Sequence, residues 1–497
     1  MSRYRNSFKS WLVFFHRWLG VVFCVPFLLW FTSGIVLIYH AFPSVSEADR
    51  LNHAAPLKTS AIELTPQQAY DRLQQASGPE SIRIVMIDGR PAYRFGFGRG
   101  ESIVYADDGQ VQDESRSDFA RGLAAAWTGQ SPTTARVEDL VERDQWTVSG
   151  EFKPLEPMRR FSWPDGEQVY VSTAVGEVVQ YTTLASRTGA YFGAIPHWLY
   201  FTPLRKHTRF WSRLVIWLSG MAVVAALLGV IIGISVYAPE KVYAPGRVAS
   251  AIPYIGAKRL HMILGLSFGV IASTWAFSGM LSMDPFPNLL GGDLDADSSQ
   301  LSRALRQNPS SLAAFEVRTP KQALLSLPPD FHPKELELAL VMSEPVYFAA
   351  AGPGQMLIIP VVGQSVTEFE HRSIIDDLEK AARPYKVTET RLVTQYETYY
   401  LDRHNLLPLP VIFMQFNDPQ RSMYYVDPKT ARIVAGYSSH SRLNRWLYHG
   451  LHSLDFPWLY RNGALWQAVM LTLLSGGIAL SLTALILATR VVRRAFR

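Results

Sequence analysis

The sequence predicts a membrane protein: a bundle of four transmembrane helices with two α+β lobes on one side, the second half of the chain duplicating the first. Three observations carry this. Four long apolar runs interrupt ordinary sequence, the short segments beside them are basic, and residues of the first run recur in the third at a fixed offset.

The runs cover roughly 11–39, 211–237, 260–283 and 465–489. Each reaches the ~20 residues needed to cross about 30 Å of hydrocarbon at about 1.5 Å per residue. Hydrophobic residues make up 48% of the 497 and charged residues 18%, with mean hydropathy near zero, so the apolar runs alternate with polar sequence. The single cysteine, Cys24, lies in the first run, which excludes an internal disulfide, a zinc–thiolate cluster and covalent Cys-x-x-Cys-His haem attachment.

Orientation follows from the flanks. Arg3, Arg5 and Lys9 precede the first run; Lys241, Arg247, Lys258 and Arg259 separate the second from the third; Arg490, Arg493, Arg494 and Arg497 follow the fourth. The positive-inside rule places these segments in the cytoplasm and both long segments outside. The net charge of +6 arises largely in these anchors and gives no indication of nucleic acid binding. The first run is read as a retained anchor: it is too long for a signal peptide, and Ile38-Tyr39-His40-Ala41-Phe42-Pro43 is a poor cleavage site. The expected organisation is a first helix in 1–41, a lobe in 42–205, a second helix in 206–238, a linker in 239–259, a third helix in 260–284, a second lobe in 285–460, and a fourth helix with a basic tail in 461–497.

Shifting the first run by 245 residues sets His16 on His261, Leu19 on Leu264, Gly20 on Gly265, Phe23 on Phe268, Trp30 on Trp275, Ser33 on Ser278 and Gly34 on Gly279. Leu218-Ser219-Gly220 and Leu474-Ser475-Gly476 mark the second and fourth runs, each preceded by an aromatic stretch with histidine: His197-Trp198-Leu199-Tyr200-Phe201 and His449-Gly450-Leu451-His452-Ser453. In the first lobe a helix is expected over 65–76, capped by Thr65 with Pro66 in its first turn, then strands at 82–87, 92–97 and 102–105 with turns at Asp88-Gly89 and Asp107-Asp108-Gly109. The second lobe offers a helix at 320–327, strands near 336–341, 345–350 and 355–361, and a helix near 370–382, while the polar stretch 288–312 reads as a loop.

The histidines in or beside the runs carry the chemistry. On a helical wheel Gly20, Phe23, Trp30 and Gly34 fall within about 40° of His16, and His261, Gly265, Phe268, Trp275 and Gly279 repeat the stripe. Ionisable residues at membrane depth usually face the bundle interior. Haem suits this composition: imidazole ligates iron, glycine admits the flat macrocycle, and aromatics pack its edge. His16 and His261 are candidate ligands of one haem near the cytoplasmic face, and His197 with His449 or His452 of a second near the outer face. Two other readings stay open. The same small residues serve helix packing, with the histidines in the headgroup region, and the i, i+3 spacing of His449 and His452 suits a lone metal ion. His40 is a reserve ligand. Neither a dinucleotide or flavin-binding pattern nor a nucleophile motif is present, so an electron donor has to be a membrane quinol or a separate protein.

His16-Arg17-Trp18-Leu19-Gly20 with Thr32-Ser33-Gly34 resembles the start of the PepSY-associated transmembrane family. Leu64-Thr65-Pro66-Gln67-Gln68-Ala69, Arg90-Pro91-Ala92-Tyr93 and Asp107-Asp108-Gly109-Gln110-Val111 resemble a PepSY domain, and Tyr424-Tyr425-Val426-Asp427-Pro428 and His449-Gly450-Leu451-His452 also fit the family. The resemblance implies a bacterial inner-membrane protein with periplasmic lobes, linked to iron uptake. It implies an oxidoreductase: two non-covalent haem b groups pass electrons to a ferric siderophore or other iron chelate. The alternative is a non-enzymatic scaffold that binds a periplasmic partner or regulates a peptidase. The second lobe departs from the PepSY pattern, and Tyr200 stands where the second half has His452, which leaves the outer ligand pairing open.

Overall fold

The computed structural model describes residues 2–98, 100–113, 117–141, 143–239, 251–286, 296–309 and 312–496. Its four membrane helices are Phe8–Tyr39, Thr208–Val236, Gly256–Leu281 and Gly463–Ala495. The shortest has 26 residues, about 39 Å of helix, more than the hydrocarbon thickness. The first packs on the fourth and the second on the third, and the first–second and third–fourth contacts close a ring. Glycines permit the close approach: Gly476 and Gly477 of the fourth helix lie under the rings of Phe268 and Phe31, and Gly269 under Val230. Trp217, Val224, Leu227, Ile231 and Ile234 are exposed on the outer face of the second helix, the apolar surface lipid requires. Aromatic belts flank the bundle, with Trp11, Phe14, Phe15 and Trp18 at one end and Tyr191, Phe192, Trp198, Phe201 and Trp458 at the other.

The remaining chain forms three sheets. Strands β1 (Ser81–Ile87), β2 (Arg90–Phe97), β3 (Gly100–Tyr105) and β4 (Val111–Gln112) precede a separate sheet of β5 (Arg136–Val141), β6 (Met158–Ser162), β7 (Gln168–Ser172) and β8 (Glu177–Thr182). From the second half come β9 (Arg306–Gln307), β10 (Glu335–Val341), β11 (Glu344–Gly352) and β12 (Gln355–Pro360), then a sheet of β13 (Val387–Val393), β14 (Val411–Phe416), β15 (Met423–Asp427) and β16 (Arg432–Tyr437).

The two long segments are not independent lobes. Strands β1 and β10 pair antiparallel, Ile82 opposite Leu338 and Ile84 opposite Leu336, giving one eight-stranded sheet in the order β12-β11-β10-β1-β2-β3-β4, with β9 on β10. Ile82, Ile84, Tyr93 and Phe95 share a core with Leu336, Leu338, Tyr347 and Phe315. Edge pairing removes two open strand edges at once. A buried charge cluster pins the junction: Arg83 reaches Glu101 at 3.0 Å, Glu177 at 3.1 Å and Glu335 at 3.8 Å, while Arg94 reaches Glu101 at 2.6 Å and Arg50 pairs with Glu335. Burial alone would raise the Glu177 carboxyl, but Arg94 and Arg83 hold it below the usual carboxylate range.

Contacts recur about 254 residues apart. Thr65 with Gln68 and Thr319 with Gln322 both form capping boxes. Tyr93 donates to the Leu64 carbonyl (2.7 Å), Tyr347 to that of Arg318 (2.5 Å), and Tyr170 and Tyr425 each donate to a carboxylate, Asp144 and Glu397, at 2.7 Å. Both segments therefore hold a short capped helix followed by three antiparallel strands.

Two expectations need correction. The helix expected over 65–76 spans only Pro66–Asp71, because the Tyr70 hydroxyl bonds the Ser77 carbonyl (2.5 Å) and pulls the chain back. The expected loop over 288–312 contains a helix, Ala296–Leu305, whose Leu301 and Leu305, one turn apart, are buried against Ile374 and Leu378 of the helix His371–Ala381. Residues 288–295 and 310–311 of that loop and 240–250 of the linker, with Lys241 and Arg247, lie outside the described residues.

Candidate functional site: two histidine pairs

At the basic end of the bundle His16 on the first helix faces His261 on the third, ring centres 6.3 Å apart. The Nδ1 of His16 bonds the Ala225 carbonyl at 3.0 Å. A carbonyl only accepts, so Nδ1 carries the proton. The Nδ1 of His261 bonds Thr483 Oγ1 at 3.0 Å, and that hydroxyl already donates to the Leu480 carbonyl, so it too accepts. In both rings Nε2 is the nitrogen left for ligation. Gly229 makes room for His16, since a Cβ there would stand 2.7 Å from the ring.

Both rings line a cavity of about 710 Å³, within the roughly 300–1,000 Å³ typical of cofactor sites. Gly20 and Gly265 also line it: a Cβ on Gly20 would meet nothing within 4 Å, and one on Gly265 only Leu480 at 3.9 Å. Phe23, Phe27 and Phe31 line it as well. Phe27 stacks on Phe31 at 5.8 Å, and Phe31 contacts Trp275 at 6.0 Å, so aromatic packing continues from the cavity towards the sheet-bearing end.

There a second pair forms. His197, on the short helix Ala194–Trp198, has its ring centre 6.0 Å from that of His452. The Nδ1 of His197 bonds the Trp30 carbonyl and Ser33 Oγ, both at 3.2 Å. The Nδ1 of His452 bonds Ser278 Oγ at 3.0 Å and also the Trp275 carbonyl. Both serine hydroxyls donate back to their own helices, Ser33 to Leu29 and Ser278 to Trp275, so both accept from the imidazole. Gly34 and Gly279 sit against these rings, their Cβ positions 3.6 and 3.8 Å from the Cε1 atoms of His197 and His452.

His197 thus faces His452 and not His449. Trp211 Nε1 donates to the Trp198 carbonyl (2.9 Å) and Trp466 Nε1 to that of Ser453 (2.8 Å), bracing the turn after each histidine at positions 255 residues apart. His449 stands outside the pair, its ring 4.5 Å from that of Tyr448, within a π-helical segment, Trp446–Gly450. The same offset of 255 residues relates the capping boxes at Thr183 and Ser438 that precede these segments, and it sets His452, not His449, against His197. Among the described residues no three His, Cys, Asp or Glu side chains gather to hold a lone metal ion. Trp30 and Trp275 do not line the inner cavity; they pack in the bundle and lend their carbonyls to the outer histidines. His40 packs beside Gly189, and His207 is exposed before the second helix; neither joins a pair. Gly229, Thr483 and the Ala225 carbonyl escaped the sequence reading because their only signal is tertiary. Ser33 and Ser278 were visible in the repeat, without their role.

Four apolar helices, an attached α+β body and two inward-facing histidine pairs define a multi-pass membrane protein with polar sites inside its bundle. The chain belongs to the family of the PepSY-associated TM region, whose model matches residues 14–324. Among curated proteins none matches the chain.

Proposed function

We propose that the chain is a transmembrane electron conduit that reduces a periplasmic ferric chelate, with one haem b between His16 and His261 and a second between His197 and His452. The histidine spacing carries this reading. A ligating nitrogen lies about 2.0 Å from its metal and about 1.1 Å from its own ring centre, so two imidazoles that would hold one iron between them would stand about 6 Å apart. The observed separations are 6.3 and 6.0 Å. In all four rings Nδ1 is committed to an oxygen, the outer-shell contact that fixes a ligating tautomer.

A bound haem b supplies one-electron chemistry. The chain's own residues hold four neutral imidazoles, exclude water with Phe23, Phe27 and Phe31, and seal the centre with Trp275. The levels of His16 and Gly34 differ by 18 residues of one helix, about 27 Å, enough for two centres to span much of the bilayer. Basic flanks support cytoplasmic termini and periplasmic sheets in a bacterial inner membrane, and the recurring contacts support an internal duplication. Electrons enter from a membrane quinol or a donor protein. One electron converts chelated Fe(III) to Fe(II), which a siderophore holds far more weakly. Detergent-purified protein from haem-replete cells is expected to be red, with a Soret band that shifts on dithionite and two haems per chain. Colourless protein sinks this reading and favours the scaffold.

A further inference from the structure

The inner cavity is polar at one end only. Arg17, Lys258, Arg490 and Arg494 line it together with His16 and His261, while Phe27, Phe31 and Ala272 line the other end. No Asp or Glu is among its lining residues, and none of the four cations pairs with a carboxylate among the described residues. The Arg17 guanidinium lies over the rings of Phe14 and Trp18, at 5.8 and 5.9 Å. Arg17 follows His16 directly, Lys258 precedes His261 by one turn, and Arg490 and Arg494 are one turn apart on the fourth helix. Positive-inside anchors alone need only face headgroups and water. Arg17, Arg490 and Arg494 are exposed at the mouth and also line the cavity, whereas Arg493 of the same basic tail is exposed and does not line it.

We propose that Arg17, Lys258, Arg490 and Arg494 form an anion clamp on the cavity mouth, which binds paired carboxylates and so orients a flat apolar ligand with its acidic edge away from the sheets. On the haem reading above, on which this identification rests, those carboxylates are the two haem propionates. Guanidinium forks match carboxylates bidentately, and charge-assisted hydrogen bonds in a largely apolar cavity are the strong kind. The phosphate of an anionic phospholipid offers related chemistry, and the test separates the two.

Apo-protein carrying His452→Ala, so that only the inner pair loads, is titrated in detergent with haem b and with its dimethyl ester, reading the Soret band. The clamp predicts that haem binds at least tenfold more tightly than the ester. Arg490→Gln with Arg494→Gln brings the two affinities close together, lowers the midpoint potential and spares ester binding; Arg493→Gln changes neither. Equal binding of haem and ester with the mouth intact overturns the clamp while leaving the haem reading standing. Equal binding with co-purified anionic phospholipid lost in the double variant overturns it in favour of a lipid headgroup. Absence of binding by both porphyrins overturns clamp and haem reading together.

Discussion

The two histidine pairs share a spacing and differ in almost everything around it. The inner rings tilt by 36° beside a cavity of about 710 Å³, His16 held by the Ala225 carbonyl and His261 by Thr483 and the Leu480 carbonyl, with open space at Gly20. The outer rings meet at 74°, each held by a serine and a tryptophan carbonyl, with Ser33 and Ser278 only 1% and 0% exposed. The inner spacing belongs to the ring of four helices, which carries both of its histidines, whereas the outer histidines stand on segments outside that ring and hydrogen-bond back to it through Ser33 and Ser278. The surroundings differ: the inner pair borders a large cavity, and the outer pair is packed among fully buried serines.

The largest test of this contrast is at the outer end. His452→Ala should halve the haem per chain in a pyridine haemochrome assay, whereas His449→Ala should leave it unchanged; the reverse result would refute the pairing. Next in size is the seat of His16. Gly229→Val places carbon where the ring now lies, on helix backbone that cannot yield, and should weaken inner haem binding more than tenfold while the outer centre persists. Gly34→Ala, the outer counterpart, meets His197 Cε1 at 3.6 Å and the flexible end of Leu474 at 3.1 Å, so both haems should remain. A spectrum that loses the outer haem in Gly34→Ala would show the outer pair to be the less forgiving.

Much of this was legible in the sequence. Four apolar runs gave four helices because only a helix satisfies backbone groups in hydrocarbon. The offset of 245 residues between the first and third helices brought His16 to His261, since equal stripes on facing helices turn to the same interior. The outer pair was half legible: His197 and His452 lie outside the long helices, and His449, one turn before His452, offers a second candidate that sequence alone does not rank. The joining of β1 to β10 was not legible, because strand patterns mark which face is buried and say nothing of which edge a strand meets. The helix Ala296–Leu305 hid in polar sequence because two leucines suffice to dock it on Ile374 and Leu378.

A smaller effect probes the outer fastening. Ser33→Ala removes one of the two acceptors at His197 Nδ1, a hydrogen bond with a net worth of about 0.5–1.5 kcal/mol. The Trp30 carbonyl still fixes the tautomer, so haem content should hold while the outer midpoint potential shifts, and Ser33→Thr should restore it. Loss of the haem itself would mean that the carbonyl alone cannot hold the ring.

The smallest effect separates the outer end of the bundle from the sheets by pH. Burial pushes the Asp455 carboxyl up to about 6, against the pull of Arg445, and one of its oxygens is buried without a partner among the described residues. An unfolded Asp titrates near about 3.9, so the fold favours the neutral acid: its contribution is complete below that value and lost as pH rises through 6. Glu177 in the sheet cluster has the opposite sign, because Arg94 and Arg83 hold its carboxylate charged against burial; its contribution is complete above the ordinary Glu range and lost as pH falls below it. Between pH 5 and 7 the unfolding temperature of the outer end should therefore decline slightly, and Asp455→Asn should flatten that slope. Below pH 4 the loss should come from the sheets and persist in Asp455→Asn. A slope between pH 5 and 7 that survives the substitution would assign it to another group and leave Asp455 paired with Arg445 as an ordinary carboxylate.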